Sequence, residues 1–102
     1  MELDLEEAKK YIAEKFRNQG DYDFIADGDF NAMLDALLAL DQAYLDEIGE
    51  EDPYDEDVIF ERMHADLVKN FPSLKTYLMR FVDDYMDFME QYLVSIDAVD
   101  WE

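Results

Sequence analysis

The chain has 102 residues, of which 8 are Lys or Arg and 28 are Asp or Glu, giving a formal charge of -20. It contains no Cys, which excludes a disulfide scaffold and any zinc or redox site built on Cys. The excess of negative charge argues against direct binding to nucleic acid or to an anionic membrane, because both require a positive surface. Leu, Ile, Val and Phe together make up 28 of the 102 residues. This share is above the roughly 20% below which a highly charged chain stays unfolded. We therefore expect one folded domain over residues 1–102.

Two helices are predicted in the first half of the chain. Asp4 is a suitable N-cap for the first helix, and Gly20 is a suitable residue to end it. We expect the three large apolar residues of the following loop to pack inward; they are Tyr22, Phe24 and Ile25. The second helix begins near Asp27 or Asp29 and ends at Gly49. Its apolar residues fill one broad face, and four acidic residues are predicted to lie outside that face: Asp35, Asp41, Asp46 and Glu47.

Two further helices are predicted in the second half. Asp55 or Asp57 caps the third helix, and Pro72 prevents it from continuing. Ser73 is predicted to cap the fourth helix directly. The fourth helix has apolar residues at heptad spacing, namely Leu74, Leu78, Phe81, Tyr85, Phe88 and Tyr92, and its apolar face is widened by Tyr77, Met89, Leu93 and Ile96.

These patterns predict an all-α protein, and no segment of strand length alternates between apolar and polar residues. The expected architecture is a compact bundle of four principal helices, at about residues 4–19, 29–48, 56–70 and 73–97. Trp101, in the acidic tail, is expected either to pack on this bundle or to contact a partner. No secretory signal or membrane-spanning run is visible, so the expected location is cytoplasmic.

The charge is distributed unevenly along the chain. Residues 18–61 hold 15 acidic residues and no Lys or Arg, and residues 81–102 hold 7 acidic residues and no Lys or Arg. Residues 62–80, between them, carry a net positive charge. On a helix, like charges three or four residues apart are neighbours and cost roughly 0.2–0.5 kcal/mol per pair. Such a cost, with few nearby cations to offset it, favours a functional surface.

We therefore expect a non-enzymatic protein that binds a basic protein partner. That partner would be a nucleic-acid-binding protein or a toxin, and the chain would act as an inhibitor or nucleic-acid-mimicking decoy that covers its basic site. The predicted binding residues are Asp35, Asp46, Glu47, Asp83, Asp84, Asp87 and Glu90. In composition alone, the chain resembles small acidic anti-restriction proteins of phages and plasmids, and helical immunity proteins that neutralise nuclease toxins.

Two sequence motifs suggest metal chemistry, and neither is specific. Glu61 and His64 have the Glu-x-x-His spacing of di-iron bundles, but such a site needs the motif on two helices and this chain has one His. Residues 83–87 spell Asp-Asp-x-x-Asp, which is similar to the magnesium-diphosphate motif of isoprenoid synthases. Those enzymes need a larger helical cavity than 102 residues can build. No cofactor, metal ligand or catalytic residue is predicted.

Two alternatives remain open at the level of sequence. One is a small magnesium- or manganese-dependent all-α enzyme, for which acidic nucleotide pyrophosphohydrolases of comparable size are the nearest analogy. Another is an accessory subunit of unknown role. Independently of these, the heavy aromatic content of 7 Tyr, 7 Phe and 1 Trp leads us to predict a homodimer through the 74–96 helix.

Overall fold

The computed structural model describes residues 4–49 and 53–96, and within these ranges it contains four α-helices and no strand. The helices are α1 (Leu5–Gln19), α2 (Asp27–Ile48), α3 (Glu56–Asn70) and α4 (Lys75–Ser95). The predicted all-α bundle of four helices is confirmed. Helix α2 begins at Asp27, the earlier of its two expected starts, and α4 begins two residues later than expected.

The predicted caps of α1 and α3 are present, because capping depends on residues close together in sequence. The Asp4 carboxylate accepts a hydrogen bond from the Glu7 backbone N–H at 3.1 Å. Gly20 ends α1 in the left-handed conformation, with φ of 76°, which glycine adopts without a steric penalty. Asp55 caps α3 by accepting from two backbone N–H groups, those of Asp57 at 3.0 Å and Val58 at 3.4 Å.

The predicted Ser73 cap of α4 is wrong. Pro72 begins a short 3₁₀ turn, Pro72–Leu74, which takes Ser73 into its interior. The turn is closed by a hydrogen bond from the Leu74 N–H to the Phe71 carbonyl at 3.0 Å. Helix α4 starts only at Lys75, and Leu74 precedes it without a side-chain cap. The 3₁₀ turn that begins at Pro72 therefore moves the start of α4 from residue 73 to Lys75.

The helices run alternately up and down, and each of α1 and α3 packs against both α2 and α4. The antiparallel pairing of α1 and α4 is seen where the Tyr11 ring lies 5.5 Å from that of Tyr92 and the Phe16 ring lies 4.7 Å from that of Phe81. Helices α2 and α4 consequently lie diagonally across the bundle. The acidic residues of α2 and those of α4 therefore lie on different sides of the bundle and do not form one continuous surface.

The core is rich in aromatic side chains and has Phe16 near its centre. The Phe16 ring stacks on Phe81 with an angle of 12° between the ring planes, and three other rings meet it edge-on: Tyr22, Phe30 and Phe88. Aliphatic residues of all four helices complete the core, among them Ile12, Leu37, Met63 and Leu78. Edge-to-face and offset-stacked rings each add roughly 0.5–1.5 kcal/mol beyond the burial of their area.

Some apolar residues predicted to face inward are exposed. Phe24 is 56% exposed and Tyr77 is 47% exposed, although their rings contact each other at 4.8 Å between centroids. Tyr22 and Ile25 fill the space beneath the loop, which leaves Phe24 outside, and Tyr77 lies at the edge of the inner face of α4. Ile96 is also exposed. Trp101 lies outside the described residues.

None of the described helices is long and apolar enough to cross a membrane.

Candidate functional site

The outer face of α4 carries a row of carboxylates, Asp83, Asp87 and Glu90, which we call the α4 row. The spacing of four and three residues places them on one side of the helix, opposite the buried residues Phe81, Tyr85 and Tyr92. Asp83 and Asp87 are exposed, and Glu90 is half-buried. In the part of the chain that the structure describes, no member of the α4 row forms an ion pair.

Asp84 lies beside this row but has a different environment. Its side chain is only 17% exposed, and its carboxylate accepts a hydrogen bond from the Tyr22 hydroxyl at 3.0 Å. The Nε atom of Arg80 lies 3.8 Å away, and Arg80 also contacts Asp21 at 2.6 Å. Asp84 therefore joins α4 to the α1–α2 loop, and its charge is partly offset within the protein.

The carboxylates of Asp83, Asp84 and Asp87 approach one another closely. One oxygen of each lies within 4.8 Å of the others. Burial raises the pKa of the Asp87 carboxyl, and the neighbouring carboxylates of Asp83 and Asp84 raise it further. The negative charge at this position is thus unfavourable in the free protein, and an approaching cation would relieve it.

A shallow groove between α1 and α4 adjoins the α4 row. It is lined by Tyr11 of α1 and by Asp87, Glu90, Gln91 and Val94 of α4. An aromatic ring and an aliphatic side chain thus lie next to two carboxylates. This combination suits the side chains of Lys and Arg, whose apolar stems pack on hydrophobic surface while their charged ends contact carboxylates.

The predicted binding residues of α2 have partners within the protein. Asp35 forms an ion pair with Lys9 of α1 at 2.9 Å, and Glu47 forms one with Arg62 of α3 at 2.6 Å. The hydrogen bonds and charge of Arg62 lower the pKa of Glu47. Asp46 accepts a hydrogen bond from Gln42 at 3.1 Å. Since α2 and α4 are diagonal, these residues do not extend the α4 row.

The prediction that Asp41 lies outside the apolar face is wrong. Asp41 is 2% exposed and is the one buried charged residue of the described ranges. Its position four residues after Leu37 and three before Tyr44 is a core position, and that spacing was the available signal. The Tyr85 hydroxyl donates to its Oδ2 atom at 2.8 Å, and the Tyr54 hydroxyl donates to its Oδ1 atom. Burial raises the pKa of Asp41, while these two hydrogen bonds act in the opposite direction.

The two metal motifs have different structural contexts. His64 is half-buried, with its ring stacked 6.2 Å from that of Phe60, and Glu61 is exposed. Across residues 4–49 and 53–96, the sole group of three or more carboxylate, His or Cys ligands close enough to share a cation is Asp83, Asp84 and Asp87. These carboxylates offer the oxygen ligands that magnesium and calcium prefer, but Asp84 already has Tyr22 and Arg80 as partners.

Comparison of the chain with models of protein families, with curated proteins and with solved structures finds no match.

Proposed function

We propose that the protein binds a basic partner protein through the α4 row, with the adjoining α1–α4 groove as part of the same surface. The observation that carries this proposal is that Asp83 and Asp87 lie in a close group of carboxylates, within 4.8 Å of one another and of Asp84, and that among the described residues no cation pairs with Asp83, Asp87 or Glu90. Cationic side chains of a partner would supply the missing neutralisation. Charge complementarity of this kind mainly accelerates association and makes it dependent on salt.

The chemistry of the surface favours a partner that otherwise binds nucleic acid. Neighbours on the α4 row are separated by about 5–6 Å between Cβ atoms, a spacing that resembles that of successive phosphates along a nucleic-acid strand. The Tyr11 ring in the groove already has the Lys15 ammonium group 5.3 Å from its centroid, so the groove combines an aromatic ring, a cation contact and two carboxylates. An inhibitor or decoy that covers the basic site of a nucleic-acid-acting protein or toxin would use such a surface.

The first experiment identifies the partner with three immobilised forms of the protein. One is the wild type, one is the triple variant Asp83→Asn/Asp87→Asn/Glu90→Gln, and one is a control with the same change in charge. Three exposed residues without ion pairs in the described structure provide that control: Asp29→Asn/Asp57→Asn/Glu61→Gln. A protein retained by the wild type and by the control, and lost with the α4 variant, is the expected result.

The second experiment measures the association rate of that partner by surface plasmon resonance over a range of salt concentrations. We expect the α4 variant to associate more slowly and with a weaker dependence on salt, because fewer charges steer the encounter. The control variant should keep most of the wild-type dependence. A nucleic acid that binds the partner should compete with the wild-type protein. Equal association rates for wild type and α4 variant would refute the proposal.

A third set of substitutions tests the predicted residues of α2. Neutralising Asp35, Asp46 and Glu47 together removes the same number of carboxylates from the opposite side of the bundle. If these residues belong to the partner surface, the variant should slow association as much as the α4 variant does. If the α4 row acts alone, the variant should behave like the control.

The small metal-dependent enzyme is the second candidate, and the close approach of Asp83, Asp84 and Asp87 is the observation that favours it. It requires saturable, stoichiometric binding of magnesium or manganese. Calorimetric titration of the wild type and of Asp83→Asn/Asp87→Asn distinguishes the candidates. Binding that the variant loses would favour the enzyme, whereas weak binding without saturation would favour the interaction protein.

A further inference from the structure

The carboxylate of Asp41 is buried without a cation. In the described residues no ion pair includes Asp41, and its two hydrogen-bond donors are the neutral hydroxyls of Tyr54 and Tyr85. A charge removed from water needs a paired charge or several donors to be stable. The two hydroxyls meet that need only in part, so the ionised form of Asp41 is disfavoured in the described structure, which we call the closed form.

The two tyrosines differ in their access to water. Tyr85 is 0% exposed and lies on the inner face of α4, where it is held by the core. Tyr54 is 38% exposed and belongs to the non-helical residues that precede α3. Tyr54 thus lies between Asp41 and solvent. Movement of Tyr54 away from the bundle would admit water to the Asp41 carboxylate. Tyr85 is enclosed by the core and cannot move aside in this way.

Residues 53–55 meet α2 through Tyr54 and the Asp55 backbone, while the Asp55 side chain caps α3. The Tyr54 ring meets the Tyr44 ring edge-on, with 5.3 Å between centroids, and the Asp55 backbone N–H donates to the Tyr44 hydroxyl at 3.1 Å. The guanidinium of Arg62 lies over the Tyr44 ring, 5.2 Å from its centroid. Tyr54 also donates a hydrogen bond to Asp41 of α2.

We propose that Asp41 and Tyr54 form a pH-sensitive latch, in which ionisation of Asp41 favours release of Tyr54 and of the Asp55 amide from α2. The closed form holds the proton on Asp41 more tightly than an open form whose carboxylate is hydrated. By linkage, raising the pH through the titration of Asp41 shifts the equilibrium toward the open form, and the proton passes to solvent. This inference is independent of the partner surface on α4.

The titratable groups around Asp41 agree with this direction. Tyr85 approaches Asp41 from α4, while Tyr44 of α2 and Glu56 in the first turn of α3 lie near Tyr54, and the charge of Glu56 disfavours ionisation of Tyr54. Burial and the Asp41 charge both raise the pKa of Tyr54, so its hydroxyl remains a donor throughout the titration of Asp41. The Arg62 cation faces the Tyr44 ring and pairs with Glu47 rather than with Asp41. Asp41 is therefore the group that titrates.

Amide hydrogen exchange measured by NMR between pH 4 and about 8 tests the latch. The informative probe is the Asp55 amide, which is bonded to Tyr44 and must be freed on opening, and its rate is divided by the intrinsic exchange rate at each pH. The internal control is the Phe71 amide, which bonds to the Leu67 carbonyl at 2.7 Å at the other end of α3. The ¹³C resonance of the Asp41 carboxyl gives its titration midpoint in the same samples.

We expect protection of the Asp55 amide to fall as the pH rises, with the same midpoint as the Asp41 carboxyl. The fall should reach up to tenfold for each unit by which the closed-state pKa exceeds the open-state pKa. Protection of Phe71 should not follow this titration. In Asp41→Asn the pH dependence should disappear, and in Tyr54→Phe the Asp55 amide should exchange faster than in the wild type at acidic pH.

Tyr77→Phe is the matched control, because Tyr77 is partly exposed and no hydrogen bond of its hydroxyl is described. It should keep the wild-type profile. Constant protection of Asp55 across the titration of Asp41 would overturn the latch, as would a wild-type slope in Asp41→Asn. If Asp41→Asn does not fold, wild type and Tyr54→Phe decide alone, since equal Asp55 protection in both at acidic pH contradicts the proposal.

Discussion

Removing either tyrosine hydroxyl from Asp41 should destabilise the protein, and the two losses should be unequal. Tyr85→Phe leaves the Oδ2 atom of a buried carboxylate without its donor, 2.8 Å away in the wild type, and no water can take its place. A buried polar group left without its hydrogen-bond partner costs about 1–3 kcal/mol, so a loss of that size is expected. Tyr54 is partly exposed, so water can replace its hydroxyl, and Tyr54→Phe should cost about 0.5–1.5 kcal/mol.

Urea unfolding followed by circular dichroism at neutral pH measures both losses, and thermal unfolding provides a second measurement. A loss of 1 kcal/mol lowers the Tm of a domain of this size by roughly 4–8 °C. Tyr77→Phe removes an exposed hydroxyl and should stay within about 0.5 kcal/mol of the wild type. Equal losses for Tyr85→Phe and Tyr54→Phe, or a larger loss for Tyr54→Phe, would refute the assignment of Tyr85 as the solvent-inaccessible donor.

Three further outcomes are expected. Phe16→Ala should cost about 3–5 kcal/mol in urea unfolding, because it opens a cavity among four aromatic rings; a loss below about 1.5 kcal/mol would contradict the described core. Asp55→Ala should cost about 0.5–2 kcal/mol and should exceed the loss for Asp4→Ala, since Asp55 caps two backbone N–H groups and Asp4 caps one. The predicted homodimer through residues 74–96 would bring two α4 rows together, so sedimentation should show more dimer at high salt, and a monomer at both low and high salt would exclude it.

The parts of the fold that depend on neighbouring residues could be predicted from the sequence. The caps at Asp4 and Asp55 are examples, because each carboxylate bonds to an N–H two or three residues away. Ser73 failed as a cap because the preceding proline began a turn of its own. The charge of Asp41 predicts exposure, whereas its position four residues after Leu37 places it on the inner face of α2, and the position prevails. The tyrosines that make its burial possible lie 13 and 44 residues along the chain, so no local pattern indicates them.

The same reasoning applies to the acidic surfaces. The sequence shows long base-free runs on both α2 and α4, and in the sequence the two helices are equivalent candidates. The fold separates them, because Lys9 of α1 and Arg62 of α3 reach across to acidic residues of α2. Exposed ion pairs of this kind contribute only about 0–1 kcal/mol each to stability. Their main consequence is that they neutralise acidic residues of α2.

On α4 the distribution is different, and it is this difference that favours α4 as the partner surface. The cation of α4 that precedes the row, Arg80, is directed toward Asp84 and toward Asp21 of the α1–α2 loop. In the described structure Asp83, Asp87 and Glu90 are left without a cation, and burial together with Asp83 and Asp84 raises the pKa of Asp87. A basic partner gains most where such repulsion is unrelieved. The unpaired row on one helix, rather than the total charge of -20, is therefore the feature that partner binding should depend on.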